Sequence, residues 1–139
     1  MENYKIKSQN APKPVGLYPH ARRVGNLLFL SGVGPRSVDN TNMPGVNLNK
    51  DGKIISYNIE KQCHSVFKNV NNILKDSGSS WENLIDVTVF LTNMKDDFNL
   101  YNKIYSYYFK DNQPCRTTVE ISSLPTPIAI ELKCIAIIS

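Results

Sequence analysis

Apolar residues at helical spacing occupy the middle of the chain and limit the folds open to it. From Ile59 to Leu74 they recur every three or four positions, which predicts a helix with one buried face. Asn58 or Ser56 is suited to cap the start of this helix, and Gly78 stands where the helix should end. The pattern therefore changes near Ile59 from strand-like segments to a helix.

A second stripe with helical spacing runs from Phe98 to Phe109. Its aromatic residues are typical of ordinary helix packing, and stacking on RNA bases is the alternative. Segments suited to strands lie before, between and after the helices, and Gly25-Asn26 is predicted to join two of them as a hairpin. Gly34–Asp51, rich in Asn, Gly and Pro, is predicted to be a loop. The predicted strands are Tyr4–Ser8, Ala21–Val24, Leu27–Val33, Ile85–Leu91, Cys115–Ile121 and Ile128–Ile138.

The predicted order of elements is β-β-β-α-β-α-β-β. This order describes an α+β domain in which two helices cover one face of a mostly antiparallel or mixed sheet. The length of 139 residues fits a single domain, residues 1–139. The last strand carries apolar residues on both faces, and two helices leave one face of the sheet uncovered. A neighbouring subunit would cover that face, so we expect a homo-oligomer.

Composition argues against several classes of protein. The formal charge of +4 comes from Lys and Arg residues spread along the chain, so we expect no nucleic-acid partner. The three cysteines form no CxxC pair, which favours a reducing compartment, and the N-terminus lacks the pattern of a secretory signal. No apolar stretch approaches the roughly 20 residues of a membrane span. We therefore expect a cytoplasmic protein with no membrane association.

The sequence lacks the common motifs for metals and cofactors. It has no glycine-rich nucleotide loop, no HExxH and no GxSxG. Its two histidines and three cysteines match no spacing of a zinc site, so we expect neither metal nor cofactor. His64, beside Cys63 in the first helix, is expected to be a surface residue next to the core. His20 is either structural or part of a site.

Two charged residues in predicted strands are candidates for chemistry. Glu131 lies within the last strand, where a charge is costly unless it is paired or used. The alternative is an exposed glutamate beside Lys133 on the same face. Arg116 follows Pro114-Cys115 at the start of a strand, where an arginine is suited to clamp a carboxylate with two hydrogen bonds. A solvated surface charge is the alternative for Arg116.

Longer motifs surround these two residues. Pro114–Glu120 is followed by Leu124-Pro125 and then by Ile130–Ala136, and Gly25–Gly32 forms a further motif upstream. With these motifs the sequence resembles the Rid family, the reactive intermediate/imine deaminases formerly called YjgF-type proteins. Some members of this family carry the label endoribonuclease L-PSP. The resemblance covers nearly the whole chain, and it extends to the second-helix residues Asp97, Phe98, Asn102, Tyr105 and Phe109.

The resemblance implies a chorismate-mutase-like fold and a homotrimer with three sites in the clefts between subunits. It also implies hydrolysis of a small enamine or imine that bears a carboxylate, to a 2-oxo acid and ammonia. By motif, Arg116 would bind the substrate carboxylate and Glu131 would position or activate the attacking water. The implied substrate-binding residues are Tyr18, Ser31, Gly32, Asn102, Cys115 and Thr118, with backbone contacts beside the last two.

Two departures from the family pattern narrow the subgroup. The family's Gly-Pro-Tyr-Ser-Gln-Ala loop is here Gly16–Ala21, and Thr118 stands where cysteine is common. With Arg36–Thr41, these changes resemble the 2-aminomuconate deaminase branch, which handles a dicarboxylic enamine. They argue against 2-aminoacrylate as the preferred substrate. The candidates for a second carboxylate anchor are His20, Arg22 and Arg36.

Two other functions remain alternatives. A non-catalytic protein could hold small carboxylates in the same cleft. A ribonuclease is the second alternative, because some relatives carry that label. The sequence lacks the paired histidines or metal-binding carboxylates typical of RNA cleavage, and its basic residues are dispersed.

Overall fold

The computed structural model describes residues 1–39 and 43–139. In these residues the chain forms two α-helices, α1 (Ile59–Asp76) and α2 (Met94–Tyr108), and a 3₁₀ turn, Trp81–Asn83. Its strands are β1 (Asn3–Ile6), β2 (Ala21–Val24), β3 (Leu27–Leu30), β4 (Val46–Leu48), β5 (Ile54–Tyr57), β6 (Leu84–Leu91), β7 (Cys115–Glu120) and β8 (Ile130–Ile137).

Six of these strands form one mixed sheet in the order β1-β2-β3-β8-β6-β7. All neighbours pair antiparallel except β6 and β7, which are parallel. A parallel pair requires a crossover between its strands, and α2 supplies it. The predicted α+β fold with two helices on a mixed sheet is therefore confirmed, and β7 is an edge strand among the described residues.

The predicted loop Gly34–Asp51 is wrong in part, because β4 and β5 form an additional hairpin. The observed order is therefore β-β-β-β-β-α-β-α-β-β. The Asn49 side chain accepts hydrogen bonds from two backbone N–H groups in the turn, and Gly52 has a φ of 79° there. Asn and Gly are typical of loops, so the composition of this segment did not indicate its two short strands. Asn40, Thr41 and Asn42 lie outside the described residues, and with them part of the predicted loop and of the Arg36–Thr41 motif.

The predicted boundaries of α1 are confirmed at both ends. The Asn58 side chain caps the helix by accepting a hydrogen bond from the backbone N–H of Lys61, so Asn58 rather than Ser56 is the cap. Gly78 follows the last turn with a φ of 79°, in the left-handed region that favours glycine. On the same helix Cys63 is buried and His64 is exposed, as expected.

The core lies between the helices and one face of the sheet. Alternate residues of β6 and β8 are fully buried on this face, including Val87, Val89 and Leu132. Tyr101 and Tyr105 of α2 are buried in the same core, which supports helix packing over base stacking for these aromatic residues. Neither helix in the described residues is long and apolar enough to cross a membrane.

The opposite face of the sheet carries apolar side chains that the chain itself does not cover. Leu27, Phe29 and Val119 are each 36% exposed there. We call this surface the open face. Its apolar residues, assigned from strand register, are Val24, Leu27, Phe29, Phe90, Val119, Ile135 and Ile137.

Candidate active site

Arg116 lies on edge strand β7 and projects towards the helix side of the sheet, because it is in register with buried Val87. Its Nη1 donates a hydrogen bond of 2.7 Å to Oδ1 of Asn102. Its guanidinium carbon lies 4.7 Å from the centre of the Tyr105 ring. The stacking ring and the amide orient the guanidinium, which has further N–H donors on an exposed side chain. No carboxylate among residues 1–39 and 43–139 forms an ion pair with it.

Thr118 lies two residues along β7, on the same side of the sheet as Arg116. Its hydroxyl is 2.9 Å from the hydroxyl of Tyr101, which is fully buried. Burial raises the pKa of Tyr101, and the hydrogen bond to Thr118 and the Arg116 charge oppose that shift. Cys115 is in register with Asp86, so its side chain lies on the other side of the sheet from Arg116.

Arg116, Asn102, Tyr105 and Thr118 together form what we call the arginine half-site. Beside it lies an open cavity of about 290 Å³. Its lining residues are Asn102, Tyr105, Ser106, Phe109, Lys110, Gln113, Pro114 and Arg116.

Glu131 lies on β8 and projects towards the open face. It is in register with Phe90 of β6, whereas the buried residues of β8 alternate with it. The Glu131 carboxylate packs against the backbone of Gly32, where an added Cβ would lie only 2.7 Å from Oε2. A side chain at position 32 would therefore displace the Glu131 carboxylate. Burial raises the pKa of the Glu131 carboxyl above its usual value of 4.5.

Ser31 and Tyr18 lie close to Gly32. The hydroxyl of Ser31 donates to the carbonyl of Pro19 at 2.7 Å, and the hydroxyl of Tyr18 accepts from the backbone N–H of Val15 at 3.2 Å. Both side chains line a small cavity of about 30 Å³, together with Gly32. Tyr18, Ser31, Gly32 and Glu131 form what we call the glutamate half-site.

The structure separates the three candidates for a second carboxylate anchor. The His20 ring is buried and both of its nitrogens are bonded to backbone groups, at Ser8 and Pro12. The side chain of Arg22 lies on β2 and donates to Asn3. Arg36 lines the same small cavity as Tyr18 and Ser31, and its Nη2 donates to the carbonyl of Lys13 at 2.7 Å.

Within one chain the two half-sites do not meet. The residues that line the cavity of the arginine half-site include none of the glutamate half-site. The predicted residues thus divide into Arg116, Asn102 and Thr118 on one side and Tyr18, Ser31, Gly32 and Glu131 on the other.

Sequence reasoning did not assign Tyr105 to the site. The helical spacing of the aromatic residues indicated core packing, and Tyr105 is indeed buried, but its ring also supports Arg116. Its position three residues after Asn102 was the available signal, because residues at this spacing share one face of a helix. Among the described residues no group of three or more His, Cys, Asp or Glu side chains is arranged to hold a metal ion.

The fold and the two half-sites define an α+β protein with an exposed, oriented arginine and a half-buried glutamate. A family model described as Endoribonuclease L-PSP matches residues 8–138, which is nearly the whole chain. The chain therefore belongs to this family, which is the Rid family that its motifs resemble.

Curated relatives and solved structures agree with this assignment. A RutC family protein of Pyrococcus horikoshii is 38% identical over 131 residues, 94% of each chain. Reactive Intermediate Deaminase A, chloroplastic, of Arabidopsis thaliana is 34% identical over 131 residues, 94% of this chain and 64% of that protein. The structure of E. coli TdcF with bound serine matches with a TM-score of 0.83 and 27% identity, covering 98% of this chain and 99% of that one. A named deaminase among the relatives supports imine deamination at the level of the family.

Proposed function

We propose that the protein is a cofactor-independent hydrolase that converts a small enamine or imine bearing a carboxylate into a 2-oxo acid and ammonia. The observation that carries the proposal is Arg116, an exposed guanidinium oriented by Asn102 and Tyr105 and not used in an ion pair among the described residues. Such a group is suited to bind a planar carboxylate through two parallel hydrogen bonds. The deaminase among the relatives supports this reaction class.

In the proposed reaction the enamine acid first tautomerises to an imine. Arg116 holds the carboxylate and so fixes the position of the imine carbon. Glu131 accepts a proton from the water that adds to this carbon and passes it to the nitrogen, which gives a carbinolamine. The proton of the carbinolamine hydroxyl is then transferred to the nitrogen in the same way, so that ammonia leaves and the carbonyl forms. General-base catalysis of this kind contributes on the order of 10²–10⁴-fold. Because burial raises the pKa of Glu131, its carboxylate is a stronger base than an exposed glutamate.

The proposed site combines two copies of the chain. Arg116 projects to the helix side of the sheet and Glu131 to the open face, so one chain cannot present both to one substrate. A neighbouring copy against the open face would bring its own arginine half-site to the glutamate half-site. This contact is head to tail, and a ring of copies closes it. We propose the homotrimer that the family resemblance implies, with three such clefts.

The substrate is proposed to be a dicarboxylic enamine resembling 2-aminomuconate, with 2-aminoacrylate as the smaller alternative. Arg36 is the remaining candidate for the second carboxylate, because it lies beside Tyr18 and Ser31. The cytosolic location stays a prediction from composition, since the relatives include a chloroplastic protein.

Two other functions have a specific observation in their favour. TdcF holds serine, which is consistent with simple ligand binding in this fold. The description of the family model names an endoribonuclease. RNA cleavage without metal needs groups free to move protons, but both nitrogens of His20 contact backbone atoms and Nδ1 of His64 lies 2.6 Å from the hydroxyl of Tyr108. Neither observation indicates a chemical reaction on a substrate whose carboxylate Arg116 would bind.

The test is ammonia release from 2-aminoacrylate and from 2-aminomuconate, each generated in situ, with highly purified protein. We expect activity in the wild type, its loss in Arg116→Ala, and its retention in Arg23→Ala. Arg23, on strand β2, is a matched control because it forms an ion pair with Glu2. Full activity in Arg116→Ala would refute the assigned role. Ligand binding without ammonia release would favour the non-catalytic alternative, and RNA cleavage that Arg116→Ala abolished would favour the ribonuclease.

A further inference from the structure

His20 occupies a position where the family loop carries glutamine, and the residue is only 8% exposed. The backbone N–H of Ser8 donates to Nδ1 at 2.9 Å, and Nε2 lies 2.7 Å from the carbonyl oxygen of Pro12. A backbone N–H only donates and a carbonyl only accepts. The ring must therefore accept at Nδ1 and donate at Nε2, which is the neutral tautomer with its hydrogen on Nε2.

The backbone around His20 connects this ring to the glutamate half-site. The carbonyl of His20 accepts from the backbone N–H of Ser31 at 3.0 Å. The preceding carbonyl, of Pro19, accepts from the hydroxyl of Ser31 at 2.7 Å. The backbone N–H of His20 donates to Ile6 at 3.1 Å. One residue thus joins the end of β1, the proline-rich segment and Ser31.

A second anchor holds only the beginning of the proline-rich segment. The carboxylate of Asp76, at the end of α1, accepts from the hydroxyl of Ser8 at 2.5 Å and from the side-chain amide of Asn10 at 3.1 Å. The hydrogen bond from Ser8 lowers the pKa of Asp76. Ser8 therefore has an attachment that does not depend on His20. The imidazole holds Pro12, and the guanidinium of Arg36 holds the next residue through the carbonyl of Lys13.

We propose that the neutral imidazole of His20 is a positioning residue that sets the place of Tyr18 and Ser31 in the glutamate half-site. It acts through its Nε2 bond to Pro12, which fixes the segment 12–19 that carries Tyr18. Both ring nitrogens are engaged by backbone groups, so the ring acts through the segment it holds. This inference rests on the proposed function for its effect on catalysis, and its effect on the segment can be measured independently.

The test compares three substitutions by their steady-state constants for ammonia release. His20→Ser removes both ring contacts, and we expect KM to rise by about tenfold while kcat changes by less than about threefold, since Arg116 and Glu131 are untouched. The amide of Gln can place an N–H near Nε2, so His20→Gln should recover most of the KM. The side-chain oxygen of Asn can replace only Nδ1, so His20→Asn should not. His64→Ser is the matched control and should behave as the wild type.

Hydrogen exchange at the backbone supplies a readout without catalysis. In His20→Ser we expect faster exchange at the five non-proline residues of 12–19 and at Ser31, with β6 and β8 unchanged. Equal KM values for His20→Gln and His20→Asn, or an unchanged KM in His20→Ser, would overturn the inference. If the wild type released no ammonia, the proposed function would fail and exchange alone would decide: faster exchange at 12–19 would support positioning, and unchanged exchange would overturn it.

Discussion

Arg116 and Glu131 lie on opposite faces of one sheet, with strand β6 between them. Arg116 is in register with Val87 and Glu131 with Phe90, and these two residues of β6 are three positions apart. Side chains three positions apart on a strand project to opposite faces. A site that uses both residues therefore requires a second copy of the chain.

The first prediction concerns pH and the stability of Glu131→Gln. Burial raises the folded-state pKa of Glu131, so the native state binds more protons than the unfolded state between the ordinary value of 4.5 and the raised value. Stability then falls as pH rises through this window. Glu131→Gln removes this loss. The difference in free energy of unfolding between the variant and the wild type should therefore favour the variant more at neutral pH than at a pH below the ordinary pKa. Urea unfolding at both pH values measures this, and an equal difference at the two would contradict it.

Gly32→Ala should reduce activity more than stability. Its Cβ would lie 2.7 Å from Oε2 of Glu131, and the end of a flexible side chain can move away at low cost. We expect the carboxylate to be displaced, kcat to fall by about tenfold or more, and the free energy of unfolding to change by less than about 1 kcal/mol. Ammonia release and urea unfolding of the same variant check both parts. Retained kcat would show that the carboxylate position is not critical.

Tyr105→Phe should be tolerated. The hydroxyl of Tyr105 is buried and has no hydrogen-bond partner among the described residues, while its ring supports Arg116. Removing an unsatisfied buried hydroxyl should raise the free energy of unfolding by about 1 kcal/mol. KM should stay near the wild-type value, whereas Tyr105→Leu, which loses the ring, should raise it. A Tyr105→Phe variant with a KM as high as that of Tyr105→Leu would show that the hydroxyl is used.

Arg36→Ala should discriminate between substrates. If Arg36 binds a second carboxylate, its removal should lower kcat/KM for a dicarboxylic enamine by about tenfold or more and leave that for a monocarboxylic enamine nearly unchanged. Parallel assays with 2-aminomuconate and 2-aminoacrylate measure the ratio, with Arg23→Ala as the control. Equal losses on both substrates would remove Arg36 from the site.

The fold was largely predictable because its elements have strong local patterns. The helical period after Ile59, the Asn58 cap and the Gly78 terminator are all local, and each agrees with the structure. The β4–β5 hairpin was missed because its strands are short. The hairpin is held by a contact between residues that are far apart in the chain. The hydroxyl of Tyr57 donates a hydrogen bond of 2.5 Å to Asp97. No local pattern carries that information.

The site was predictable only in part. The motifs pointed to Arg116 and Glu131 but gave no information on which face of the sheet each side chain would take. That depends on the pairing of both strands with β6, which is a tertiary property. The role of Tyr105 beneath Arg116 and the bonds of the His20 ring likewise depend on contacts between segments.

The most direct test of the shared cleft is activity in assemblies mixed from Arg116→Ala and Glu131→Gln chains. Each variant alone should be inactive. If the two residues of a site come from different copies, every trimer that contains both variants should have one intact site of its three, so about a third of the wild-type activity should return. The measurement is ammonia release by co-expressed, doubly tagged assemblies, with wild-type chains mixed with either variant as the positive control. Activity near that fraction is the predicted result, and mixed assemblies as inactive as the separate variants would contradict the account.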